Sequence, residues 1–124
     1  MKTYAPSFPA ALKGETIKSI ACSDQEVDLY TESGKHFRWS HHQDCCESVR
    51  LVHNNIDEVN NPIGREIYDA IESVVVGKCI TVTTWILNCH YDNNIVFTWH
   101  GESNGYYSED VSFELESEES NEKV

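Results

Sequence analysis

Cys79-Ile80-Thr81-Val82-Thr83-Thr84-Trp85-Ile86-Leu87-Asn88-Cys89 decides the fold. In an extended chain Val82, Thr84 and Ile86 fall on one face and Thr83, Trp85 and Leu87 on the other. β-branched and aromatic residues crowd both faces, and no glycine or proline interrupts the run. Such a segment reads as a strand. Bulk on both faces places it in the middle of a sheet.

Shorter extended runs surround it. Residues 16–23 carry Ile17, Ile20 and Cys22, and 25–31 set Val27 and Leu29 on one face. Turns at Asp24-Gln25 and Glu32-Ser33-Gly34-Lys35 make a hairpin-like ladder with 35–39, where Phe37 and Trp39 oppose His36 and Arg38. Residues 48–53 form a fourth strand, with Val49, Leu51 and His53 against Arg50 and Val52. Asp92-Asn93-Asn94 tolerates the positive φ of a tight turn, and 95–99 return from it. The last run, 107–115, sets Val111, Phe113 and Leu115 against Ser112 and Glu114.

Three segments are less regular. Ala10-Ala11-Leu12 suits a short helical turn, and the polar 54–61 suits a short helix or an ordered loop. In 65–76, Ile67, Ala70, Ile71 and Val74 fit helical spacing, whereas Ser73 to Val76 favours a strand. We read it as extended, or as a helical turn running into a strand. The expected fold is mainly β (β-rich α+β): an antiparallel meander sheet or partial barrel with one or two short helices. At 124 residues the chain suits one β-rich domain over 1–115, followed by an acidic disordered tail over 116–124. A long exposed edge strand would invite pairing, so a homo-oligomer, a dimer or larger, is expected.

The charge is strongly acidic, 21 Asp and Glu against nine Lys and Arg, a net −12. The tail supplies four glutamates and one lysine, so most of the charge belongs to the body. An acidic body repels phosphate backbones and anionic lipid, which argues against direct nucleic-acid binding and membrane association. Acidity of this size serves solubility, or attracts a basic surface in imitation of nucleic acid. Residues 1–9 hold no long apolar core, so no secretory leader is expected, and no run approaches a membrane span. Five cysteines without a leader are expected as reduced thiols in a cytoplasmic protein.

Two dense polar signatures interrupt the β pattern. The first is His41-His42-Gln43-Asp44-Cys45-Cys46-Glu47-Ser48-Val49, and the second is Trp99-His100-Gly101-Glu102-Ser103-Asn104-Gly105-Tyr106-Tyr107-Ser108-Glu109. Turning the chain requires neither composition, so together they read as one site or interface. His41, His42, Asp44, Cys45 and Cys46 are zinc-ligand types, but the chain has no CxxC, HxxxH or HExxH spacing, and no metal or cofactor is expected. Cys46 beside Glu47, near His41 or His100, has the parts of a thiolate and base, but acidic neighbours raise a thiol pKa. Asp44 and Glu47 against Glu102 and Glu109 match no cation loop. The Gly101–Gly105 loop permits tight turns, and Tyr106 and Tyr107 offer contact area at low entropic cost.

The Gln43–Val49 and Trp99–Glu109 signatures, with Gly14-Glu15-Thr16-Ile17-Lys18-Ser19-Ile20 as a first strand, resemble a family of small uncharacterised proteins of phages, prophages and bacteria. The resemblance covers roughly residues 14–115. It implies a β-rich fold and a phage or mobile-element setting, and carries no activity with it.

The function expected first is therefore a non-catalytic phage or prophage accessory binding protein, an inhibitor of a host defence system in the host cell cytoplasm. It would occupy the surface of a host protein or sequester a small nucleotide-like ligand. Its expected contacts are Asp44, Glu47, Glu102, Ser103, Asn104, Tyr106 and Tyr107. The alternatives are a small metal- or thiol-dependent enzyme using the His/Asp/Cys cluster, and a structural or assembly component.

Overall fold

The computed structural model describes residues 2–7, 10–43, 46–57, 60–89, 94–104 and 108–118. Among them are nine strands: β1 (Lys2–Ser7), β2 (Ile17–Cys22), β3 (Glu26–Thr31), β4 (Lys35–Ser40), β5 (Ser48–Asn54), β6 (Ile67–Gly77), β7 (Ile80–Cys89), β8 (Ile95–Glu102) and β9 (Ser112–Glu118). The helical content is one 3-10 turn, Ala10–Leu12. The fold is mainly β and antiparallel, divided into a five-stranded sheet in the order β1-β6-β7-β8-β5 and a four-stranded sheet in the order β2-β3-β4-β9. β7 holds the central place that its two-sided bulk implied.

The two sheets meet through aromatic side chains. Trp39 of β4 stands edge-on to Trp85 of β7 and Phe97 of β8, with ring centres 5.3 and 4.9 Å apart. Phe113 of β9 fills the same layer, 4.9 Å from Trp39 and 5.0 Å from Trp85. Val27, Leu29, Phe37, Leu87, Ile95 and Trp99 complete a core without solvent access at most of its positions. Each such side chain stabilises the fold by roughly 1.5–3 kcal/mol relative to exposure. Among the described residues no acceptor pairs with the indole N–H groups of Trp39, Trp85 and Trp99. The edge-to-face packing of Trp39 brings ring edges, which carry positive charge, against ring faces, which carry negative charge.

The hairpins follow their side chains. The Ser23 hydroxyl accepts from the Gln25 and Glu26 amides between β2 and β3. The Thr31 hydroxyl accepts from the Lys35 amide between β3 and β4, where Gly34 takes φ 93°. Cys79, read as the start of a strand, instead sits in the β6–β7 turn at φ 62°, a left-handed conformation uncommon for a side-chain-bearing residue.

Three elements differ from expectation. β1 pairs antiparallel with β6 where no strand was read, and Pro6 is accommodated because β1 is an edge strand. β6 is extended throughout, which resolves the ambiguity of 65–76. β9 begins at Ser112 rather than 107 and runs to Glu118, beyond the Leu115 boundary. Residues 54–61 are an ordered loop where described. Asn60 donates to the Asn55 carbonyl at 2.9 Å and accepts from the buried Arg65 at 2.7 Å. The turn expected at Asp92-Asn93 and the last six residues of the tail lie outside the described residues.

Candidate functional site

The chain passes from the four-stranded to the five-stranded sheet between β4 and β5, and in the opposite direction between β8 and β9. These crossings occupy residues 41–47, inside the first polar signature, and 103–111, of which 103–109 belong to the second. Strand pairing sets them side by side. Ser40 at the end of β4 pairs with Ser112 at the start of β9, and Ser48 at the start of β5 pairs with Glu102 at the end of β8. Both crossovers therefore cover the same end of the sandwich.

Buried carboxylates hold each one. His41 Nε2 lies 2.8 Å from Glu47 Oε2, and the two side chains are only 5% and 1% exposed. The Gln43 side-chain amide donates to the Glu47 carbonyl at 2.8 Å and closes the same turn. In the second crossover Glu109 accepts from Thr81 Oγ1 at 2.6 Å and from Ser103 Oγ. The Ser103 amide donates to the Cys79 carbonyl at 3.1 Å. His41 Nδ1 joins the crossovers by donating to the Asp110 carbonyl at 2.6 Å.

Gly101 makes this packing possible. A methyl group there would stand 2.9 Å from Glu109 Cβ and 3.1 Å from Val49 Cγ2. The glycine of the second signature is needed for close approach of the 108–110 backbone.

A cleft of about 240 Å³ opens between the crossovers, lined by His41, His42, Glu47, Ser108, Asp110 and Ser112. These lining residues include no lysine or arginine. A larger hollow, about 430 Å³, lies beside β5 and is lined by Cys22, Ser23, Asp24, Leu51, Val52, His53 and Asn54. Partial burial, then the Asp28 charge, pushes the Cys22 thiol up, which disfavours a thiolate there. We place the site at the smaller cleft because both signatures converge on it.

A family model, Domain of unknown function (DUF7448), matches residues 10–113. The chain belongs to this family. No curated protein and no solved structure matches it. Membership accounts for the paired signatures as parts of one domain, since both fall inside the matched span.

The expected contact residues separate into three groups. Glu102 and Asn104 are exposed at the crossover end, with Glu102 3.6 Å from His100. Ser103 is half-buried on Glu109, and Glu47 is sealed against His41. Their part is to hold the crossovers, a correction to Glu47 as a surface contact: its carboxylate has no free access. Asp44, Tyr106 and Tyr107 lie outside the described residues. His41 and Glu109 were weighed only for metal, thiol or carboxylate chemistry, and they prove to be the residues that fix the two loops. Their signal was an acid among hydroxyl donors beside a glycine.

Cys22, Cys79 and Cys89 are free thiols, whereas Cys46 is disulfide-bonded, so the expectation of reduced thiols fails at that position. Among the described residues no three His, Cys, Asp or Glu side chains converge as metal ligands. Among them, too, no helix is long and apolar enough to cross a membrane.

Proposed function

We propose that this chain is a non-catalytic accessory binding protein of phage or prophage, acting in the host cell cytoplasm against a host defence system. It works stoichiometrically by covering a basic protein surface with the crossover end. The observation that carries this reading is the convergence of both signatures on one cleft whose described lining holds the exposed Asp110 and no lysine or arginine. Such a surface attracts basic groups and repels phosphate. The nucleotide-like ligand expected as an alternative has less support. The described lining of the cleft offers a phosphate no lysine or arginine, and Lys35 and Arg38 are already paired with Glu15 and Asp28. Exposed Asn104 and Glu102, with Tyr106 and Tyr107 on the same crossover by sequence, are the proposed contacts.

The test is plating efficiency of defence-sensitive phages on hosts that each carry one defence system, with and without the chain. Wild type should restore plating on one of these hosts. Asn104→Ala and Tyr106→Ala should fold normally and fail to restore it. Failure of wild type on every host overturns the antagonist role, and full activity of both variants overturns the site.

A further inference from the structure

We propose that the four-stranded sheet carries a binding site for a small phosphate-type oxyanion on its outer face, at the end remote from the crossovers. β4 meets β9 beside the crossovers at Ser40 and Ser112, so Lys35 and His36, at the start of β4, mark the opposite end. Leu29 and Phe37 turn into the core, and Tyr30, His36 and Ser117 stand outward in one row of paired residues. A pocket of about 140 Å³ opens there, beside the β3–β4 turn. Its lining includes Lys18, Lys35 and His36, together with the hydroxyl residues Tyr30, Thr31 and Ser117. The described lining holds no Asp or Glu, in a chain with 21 acidic against nine basic residues.

The acids that balance these groups stand outside the lining. Lys35 Nζ lies 3.0 Å from Glu15 Oε2 and His36 Nε2 lies 2.6 Å from Asp28 Oδ1, and both carboxylates are nearly buried, with side chains 11% and 13% exposed. They hold Lys35 and His36 in place, and His36 is fixed further by stacking on Tyr30, ring centres 4.3 Å apart. Donors already held lose little freedom when a ligand arrives. An ammonium group has three donors, so the Glu15 contact does not exhaust Lys35. Lys18 is exposed and has no ion pair among the described residues. Several converging donors suit a phosphate, which offers more acceptor oxygens than a carboxylate. The size also fits: at about 30 Å³ per water, the pocket displaces roughly four or five waters, room for a phosphate or a short phosphate ester. The acidic surface elsewhere is screened over about 8 Å at physiological salt, whereas charge-assisted hydrogen bonds act in contact.

Amide-resolved NMR of the full chain, titrated with inorganic phosphate at constant ionic strength, tests this. Wild type should show saturable shifts centred on residues 18, 34–36 and 117, with a Kd near or below about 1 mM. Lys18→Gln, a change at an exposed position, should keep the fold and weaken binding about tenfold or more, the loss of one hydrogen bond to a charged group. A second arm with glycerol phosphate separates the sources. Tighter binding than inorganic phosphate assigns the phosphate group of a small ester, and weaker binding assigns the free ion. Absence of saturable shifts, shifts centred elsewhere, an equal response to acetate, or a folded Lys18→Gln that binds as wild type does would each overturn the site. If Lys18→Gln does not fold, the wild-type shift map still decides.

Discussion

His41 and Glu47 stand at opposite ends of one seven-residue crossover, their side chains 2.8 Å apart and almost sealed from water. The pair fixes a segment that lies between two strands, β4 and β5, of different sheets. Removing one member of this buried hydrogen-bonded pair leaves the other unsatisfied, at a cost of about 1–3 kcal/mol. Glu47→Ala should lower the urea midpoint accordingly. A loss under about 1 kcal/mol would show that water or a neighbour replaces the carboxylate.

Gly101 and Glu109 make the second crossover equally intolerant. Gly101→Ala brings a methyl group within 2.9 Å of Glu109 Cβ. Overpacking of this kind costs about 1–3 kcal/mol. The strain should appear locally, as faster amide exchange at 101–103 and 108–110 with β6 and β7 unchanged. Exchange rates identical to wild type would mean that the segment yields without strain.

The acid side of the stability profile should be set by the four-stranded sheet. Burial pushes the Asp28 carboxyl up, but hydrogen bonds from His36 and Arg38, and their charges, hold it below its ordinary 3.8. Burial likewise opposes, and Ser33, Lys35 and Thr31 together outweigh it, to hold Glu15 below 4.5. A folded value below the unfolded one means stability that is fully present above the unfolded value and lost as pH falls through the folded one. Wild type should therefore lose stability as pH drops below 4.5, and the double variant Asp28→Asn, Glu15→Gln should lose less over the same interval. Parallel profiles would show that the two carboxyls are not responsible.

β6 shows why some of the fold was hard to read. Ile67 and Ala70 are both buried, three residues apart, a spacing that mimics a helix. The cause is a bulge: Ile67 pairs with Cys89 and Asp69 with Asn88, so Tyr68 is an extra residue that resets the alternation. β1 was illegible because Pro6 argues against a strand and its partner, β6, lies some sixty residues away. β7 and β8 were plain because their alternation is unbroken and every second residue is buried. The signatures stood out by composition. Their adjacency did not, because it depends on the Ser40–Ser112 and Ser48–Glu102 pairings, which no local pattern encodes.

An acidic surface that captures a basic one should do so in a salt-dependent way. Screening shortens to roughly 3 Å at 1 M salt, so the complex should weaken steadily as salt rises. Affinity independent of salt would point to an apolar contact instead.

Native mass spectrometry of the chain isolated gently from defence-bearing host cells tests the crossover surface most directly. Wild type should carry a stoichiometric protein adduct, and the folded variant Asn104→Ala, Tyr106→Ala should not. An adduct retained by that variant, an adduct of nucleotide mass, or wild type with no added protein would contradict the proposal.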